Sequence, residues 1–321
     1  MTTQQTAKTQ YVESPNGVTF AYRQIGNASG VPLVLLTHFR GIMDKWDPLI
    51  VNSFAKNRRV ITVDYAGVGL STGDVATSMR QSAADITQFI ELIGENEIDL
   101  LGFSIGGYVA QMVALNADPS KVKVRKLILA GTGTSYGPDL VYSQNKDVGS
   151  VAGVKDVDIN VFKTLFFPKN AAGDAAAEAW WSRIHERSAA TSGEEASLWL
   201  SSGYKDGGKG LMGQVTQGHD FTESPEKSKG EDGAYDRLPD LMIPVLVANG
   251  SVSNVVYSFN QGQILTVTLR QNDYMIPTPN SYLIYQKVPN GQLILYPNSG
   301  HGFLFQYAPT FVKHVETFLE G

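Results

Sequence analysis

The chain contains no cysteine. That absence removes disulfides, thiolate metal sites and a cysteine nucleophile together, so any nucleophile must be oxygen or nitrogen. There is no run of lysine or arginine, and a formal net charge of -5 offers no basic surface to track phosphates; nucleic acid is not an expected partner. No apolar stretch approaches the length of a bilayer span, and residues 1–10 are polar, without the apolar segment of a secretion signal. The expectation is a soluble, cytoplasmic protein with no membrane partner. Internal repeats are also absent. With 42% hydrophobic and 18% charged residues over 321 positions, a sizeable core can be buried, in one large α/β domain or a domain with a substantial insertion.

What is present is organised around Leu100-Leu101-Gly102-Phe103-Ser104-Ile105-Gly106-Gly107. Ile98 to Leu101 is an apolar run of strand character, and Tyr108, Val109, Met112 and Leu115 recur at helical spacing, so the stretch reads as strand, sharp turn, helix. A serine on so tight a turn occupies a strained backbone position. Glycines at 102 and 106 leave room where a Cβ would clash, and the Ile105 N–H points from the first helical turn toward any oxyanion formed beside Ser104. G-x-S-x-G alone also describes an ordinary glycine-rich turn; the flanking strand and helix favour a nucleophile.

Upstream, strand-like segments cover Gly17 to Arg23, Val31 to Leu36 and Val60 to Asp64, with helical patterns around Trp46 to Ala55 and Ser82 to Ile93. Lys126 to Ala130 is a further short strand after the central helix. Strands alternating with helices predict a mostly parallel sheet with helices on both faces. From Ser135 to Pro239 the alternation stops, giving a helical insertion rich in aromatic residues. Its last part, Gly203 to Gly233, reads as mobile loop. Gly203 to Gly210 is not a phosphate-binding loop, because Gly210 stands where Ser or Thr is required and no strand precedes it. The sheet resumes at Ile243 to Ala248 and Gln292 to Tyr296 and closes with a helix from Pro309 to Leu319.

Serine needs a base, and the base an orienting group. Of the five histidines, His301 in S-G-H-G-F lies just past the last strand and is the candidate base. His314 falls inside the closing helix, His185 and His219 fall in the insertion, and His38 reads as a loop-ordering residue. Asp273, in N-D-Y-M-I-P, is the candidate orienter, although an aspartate there also serves as an ordinary turn or helix cap. The order Ser104, Asp273, His301, each beyond a predicted strand, favours the catalytic reading. No cofactor and no metal are called for.

These motifs resemble the serine-type α/β-hydrolase fold family, near its esterase, cofactor-free haloperoxidase and carbon-carbon bond hydrolase branches. The likeness covers nearly the whole chain through H-F-R-G (38–41), D-Y-A-G-V-G-L-S (64–71), G-F-S-I-G-G (102–107), N-D-Y-M-I-P (272–277) and S-G-H-G-F (299–303). It implies Ser104 as nucleophile, His301 as base and Asp273 as orienter. It also implies an oxyanion hole from the backbone N–H groups of Ile105 and Arg40, or Phe39, since Phe39 stands where the family has glycine. The same resemblance implies a core of residues 1–134 and 240–321 with a cap at 135–239. The pocket is expected at His38, Phe103, Trp180, Trp181 and Phe303, and packing of the cap is the alternative role for the tryptophans. The expected partner is a small to medium, fairly apolar molecule, cleaved at an ester, lactone or activated carbon-carbon bond through an acyl-serine. A perhydrolase using the same residues, or a non-catalytic ligand receptor on the same fold, are the rivals.

One segment departs from the family. Residues 251–271 intervene between a strand and its aspartate, and Val255 to Phe259 and Ile264 to Leu269 flank Asn260-Gln261-Gly262-Gln263 like the arms of a hairpin. The segment reads either as a flap beside the acid or as the translation of a retained intron. Val252-Ser253 is compatible with GTGAGT or GTAAGT, Leu265-Thr266 with CTAAC and Gln271 with CAG. On the second reading the insert threatens to displace Asp273.

Overall fold

Short apolar runs become the strands of one eight-stranded sheet in the computed structural model, which describes residues 2–26, 29–251, 255–260, 263–269 and 273–321. The first half runs β1 (Gln10–Glu13), β2 (Thr19–Ile25), β3 (Leu33–Leu36), α1 (Pro48–Phe54), β4 (Val60–Val63), α2 (Met79–Leu92), β5 (Glu97–Phe103), α3 (Ile105–Asn116) and β6 (Lys123–Ala130). A helical segment follows, with α4 (Val148–Ala152), α5 (Ile159–Leu165), α6 (Ala171–Arg183), α7 (Ala189–Ser192) and α8 (Lys209–Thr222). The chain ends with β7 (Val245–Ser251), β8 (Val255–Asn260), β9 (Gln263–Leu269), α9 (Pro279–Lys287), β10 (Gly291–Pro297), α10 (Phe303–Gln306) and α11 (Ala308–Glu320). The sheet order is β1-β2-β4-β3-β5-β6-β7-β10. Within this sheet only the β1/β2 and β2/β4 pairings are antiparallel.

Because side chains alternate along a strand, a sheet covered on both sides must be apolar on both. Leu33, Leu35, Leu101, Phe103, Ile128 and Leu246 face one core with α1 and α11. Their neighbours Val34, Leu36, Leu100, Leu127 and Val247 face a second core with α2 and α3. No helix among the described residues is long and apolar enough to cross a membrane.

The expectation of a mobile loop from Gly203 to Gly233 is corrected. Residues Lys209–Thr222 form α8, which buries Leu211, Gln214, Gln217 and Phe221 at helical spacing. Two of its three glycines are there for closeness: a Cβ on Gly210 would stand 2.6 Å from Leu200 Cδ1 and one on Gly213 3.0 Å from Val75 Cγ1, whereas Gly218 has open space around it. The N–H groups of Gly208 and Gly210 are taken by the Asp206 carboxylate, each at 2.9 Å, so this turn satisfies its own donors.

Three arginines fasten the helical segment to the first fifty residues of the chain. The Arg40 guanidinium donates to the carbonyls of Val154 at 2.6 Å, Leu200 at 2.9 Å and Ala152 at 3.1 Å. Arg183 pairs with Asp47 at 2.7 Å. Arg187 donates to the carbonyls of Gln5 and Ala7 and pairs with Asp44, which also binds the fully buried Arg23.

Beyond β7, β8 and β9 pair antiparallel with each other in a separate two-stranded sheet. The proposed splice-like ends at Val252-Ser253 and Gln271, and the turn at Gln261-Gly262, lie outside the described residues.

Candidate active site

The loops leaving the carboxyl ends of parallel strands meet in a crevice, the place where sheets of this kind hold ligands. Here the segments following β3, β5, β7 and β10 carry His38, Ser104, Asp273 and His301 respectively.

Ser104 sits between β5 and α3 with φ 59° and ψ -124°, a conformation that costs a non-glycine residue on the order of 1–3 kcal/mol. It is held there by its own N–H on the Ala130 carbonyl at 2.9 Å and by its carbonyl, which accepts from the Gly107 N–H at 2.8 Å. The flanking glycines are demanded by contact. A Cβ on Gly102 would meet the Gly106 carbonyl oxygen at 2.2 Å, and one on Gly106 the Leu36 oxygen at 2.3 Å.

Asp273 and His301 are fully buried. The imidazole Nδ1 donates to Asp273 Oδ2 at 2.8 Å, while Asp273 Oδ1 accepts from the N–H groups of Met275 and Ile276, each at 2.9 Å. The turn is tied to β7 by the Thr278 hydroxyl on the Gly250 carbonyl at 2.6 Å and by Asn249 Nδ2 on the Ser281 hydroxyl at 3.0 Å. The aspartate therefore reaches the histidine in spite of the intervening hairpin. His301 Nε2 is buried with no hydrogen-bond partner among the described residues. The ring packs 5.0 Å from Phe103, the residue before Ser104. No hydrogen bond joins Ser104 to His301 in this structure; such bonds are often long before a substrate fills the site.

The two expected backbone donors after β3 are distinguished. The Arg40 N–H is spent on Gln214 Oε1 at 2.7 Å, so it is not available to an oxyanion, and Arg40 is corrected as a donor. The N–H groups of Phe39 and Ile105 have no hydrogen-bond partner among the described residues. Arg40 itself has a φ of 58°, and its amide faces Gln214 on α8.

His38 is buried against Phe103, Phe166 and Trp199. Burial drives its pKa down to about 3, against a smaller opposing contribution from its bond to the Phe39 carbonyl, so the ring is neutral.

Two spaces flank Ser104. The narrow one, about 20 Å³, is walled by His38, Val161, Phe162, Leu165, Phe166 and Trp199, with room for roughly one water-sized group. The wide one, about 560 Å³, is walled by Tyr108, Leu211, Gln214, Val215, Met275 and Ile276 among others. Of the five residues expected in the pocket, His38 alone lines either space. Phe103, Trp180 and Phe303 are fully buried core: Trp180 stacks on Phe305 and Phe303 packs on Phe311. Trp181 stacks on Trp199 behind the wall. Tyr108, Gln214, Met275 and Ile276 are site residues that sequence reasoning passed over. A glutamine at the buried spacing of Leu211 and Phe221 is the signal that could have found Gln214.

The family described as alpha/beta hydrolase fold matches residues 31–307, and the chain belongs to it. A solved alpha/beta hydrolase fold protein from Chitinophaga pinensis is similar with 29% identity and a TM-score of 0.77, covering 99% of each chain. An esterase from Rhodococcus sp. ECU1013 superposes with a TM-score of 0.68 at 21% identity, covering 98% of each chain. An enol-lactonase from Burkholderia xenovorans LB400 does so with a TM-score of 0.66 at 13% identity, covering 97% of this chain and 100% of that one. These last two speak for the fold alone. No curated protein matches the chain significantly.

Proposed function

We propose that this hydrolase-family protein cleaves an ester, lactone or activated carbon-carbon bond of a small to medium, fairly apolar substrate through an acyl-serine intermediate. The observation that carries the reading is the buried His301–Asp273 hydrogen bond of 2.8 Å in the same crevice as a serine held on a strained turn. Ser104 Oγ attacks the carbonyl carbon while His301 Nε2 takes its proton. Asp273 holds Nδ1–H and balances the imidazolium. The oxyanion is received by the N–H groups of Ile105 and Phe39, each such donor being worth roughly 3–4 kcal/mol of barrier. The intermediate then collapses, His301 returns the proton to the leaving group, and water, deprotonated by His301, releases the acid and restores the serine. Residues 135–239 act as the cap. The narrow space takes the smaller substituent of the scissile carbonyl, and the wide space the larger. The names of the esterase and enol-lactonase neighbours are in keeping with this chemistry.

The test is fluorophosphonate labelling of Ser104 together with hydrolysis of short and medium p-nitrophenyl esters. The reading expects labelling, and turnover that falls by roughly 10⁴-fold or more in Ser104→Ala. Labelling without turnover of any ester supports a receptor instead. Peroxide-dependent bromination in acetate that outpaces ester hydrolysis supports a perhydrolase.

A further inference from the structure

The wide space beside Ser104 is apolar except for a few groups, and most of those already have partners. The Tyr204 hydroxyl is bonded to the Gly153 carbonyl and the Thr222 hydroxyl to the Gly218 carbonyl at 3.0 Å. His219 lies 3.6 Å from Glu223 at the exposed rim. Two donors remain. Gln214 is 3% exposed and its Oε1 is held by the Arg40 N–H; that bond identifies the other end of the amide as Nε2, which has no partner among the described residues. Tyr108, one helical turn beyond Ser104 on α3, lines the same space, and its hydroxyl makes no hydrogen bond with any described residue. Burial, and to a lesser extent the charge of Asp273, push the phenol pKa up, so the hydroxyl keeps its proton. Neither lysine nor arginine is among the described residues lining this space. A carboxylate or phosphate would enter without a counter-charge, whereas a neutral oxygen needs only a donor.

We propose that Tyr108 and Gln214 form a donor subsite for an uncharged acceptor oxygen, a ketone or ether, carried on the longer arm of the substrate. The inference rests on the hydrolase reading of the same site and narrows it. The preferred substrates are esters or activated ketones with a second neutral oxygen several bonds from the carbonyl that is attacked. Tyr108 and Gln214 touch the substrate away from the reacting atoms, and their effect is on selectivity.

The experiment measures dissociation constants on Ser104→Ala, so that binding is read without turnover. Two probe sets cover both sides of the scissile bond: p-nitrophenyl hexanoate against p-nitrophenyl oxo-hexanoates, and hexyl acetate against oxo-hexyl acetates. In one of the two sets a keto member is expected to bind about 3- to 10-fold tighter than its plain partner, the range of one or two neutral hydrogen bonds. Adding Tyr108→Phe, which removes one oxygen and leaves the ring, is expected to bring that ratio back toward one. Gln214→Met tests the second donor in the same way, with the thermal midpoint checking that α8 is intact. Equal binding of plain and keto members in both sets overturns the subsite, as does a ratio unmoved by Tyr108→Phe. Failure of fluorophosphonate to label Ser104 would instead strike the hydrolase reading and leave these binding ratios standing.

Discussion

Asp273 divides its two oxygens between two tasks: Oδ2 accepts from His301 Nδ1 at 2.8 Å, and Oδ1 caps its own turn through the N–H groups of Met275 and Ile276. The carboxylate is thus positioned by backbone as well as by His301. Asp273→Asn can keep the turn while presenting the wrong group to Nδ1. It is expected to lower kcat on a p-nitrophenyl ester about 10⁴-fold with little change in the far-UV spectrum; a loss smaller than tenfold would remove Asp273 from the mechanism.

Gly106→Ala places a methyl group 2.3 Å from the Leu36 carbonyl oxygen and 2.7 Å from that of Thr37, backbone atoms that cannot rotate away. Overpacking of this kind costs about 1–3 kcal/mol and more where backbone must shift. The unfolding free energy from urea titration is expected to fall by at least about 1 kcal/mol, lowering the midpoint, with loss of Ser104 labelling in the folded fraction. An unchanged midpoint would mean that β3 is free to move.

Asp64 is buried, and desolvation pushes its pKa up to about 7 against the opposing N–H bonds from Leu70 and Met43. In the unfolded chain the group titrates near 4. Between about pH 4 and 7 the folded state therefore holds a proton that the unfolded state has lost, and the contribution of Asp64 to stability falls as pH rises through that window. Asp64→Asn is expected to gain stability relative to wild type across the same window and to gain no more above it. Paired urea titrations at several pH values check this, and parallel curves from pH 4 to 7 would contradict it.

Asp44 is bound by Arg23 and Arg187, all three buried. Removing one member of such a group leaves charge without compensation, at a cost of about 3–5 kcal/mol. Asp44→Asn is accordingly expected to lower the thermal midpoint by several degrees and to expose the segment around Arg187 to proteolysis. A variant that resists protease as well as wild type would show the pairing to be dispensable.

In the described backbone, β8 and β9 pair with each other and not with the eight-stranded sheet, and the Asp273 turn has its own ties to β7. A chain lacking residues 252–271 is expected to fold, to label at Ser104 and to hydrolyse esters at least as fast as the full chain. Sequencing of the transcript decides the origin of the segment: a shorter message spliced at these ends would support the retained intron, and only the long form would sink it.

The parts of this molecule that follow from local pattern were legible in the chain itself. Val34 and Leu36 alternate with Leu33 and Leu35 because a strand has two faces, and Ser104 between Gly102 and Gly106 announces a turn that only those residues permit. The histidine after β10 and the aspartate after β7 could be paired because parallel strands bring their carboxyl ends to one crevice. What stayed hidden depends on three-dimensional neighbours. Gly210 and Gly213 look like loop residues until Leu200 and Val75 are seen to press against them. The choice between Phe39 and Arg40 as a candidate donor turns on a glutamine 174 residues away. Trp180, with an aromatic side chain equally suited to a wall or a core, is settled by Phe305 and Phe167 packed around it.

The anchoring of the helical segment by Arg40, Arg183 and Arg187 also bears on the speed of exchange. With guanidinium groups seated on backbone carbonyls and on carboxylates, swinging that segment away as a unit would break these bonds together, so the opening beside Ser104 is expected to keep its width. The compliant part of its rim is Met212, 57% exposed, and Val215 beside it on α8, side chains that reorient in picoseconds to nanoseconds. On that arrangement a substrate would be chosen as by a mould with a soft lip, by which shapes fit at equilibrium rather than by which ones trigger a closure.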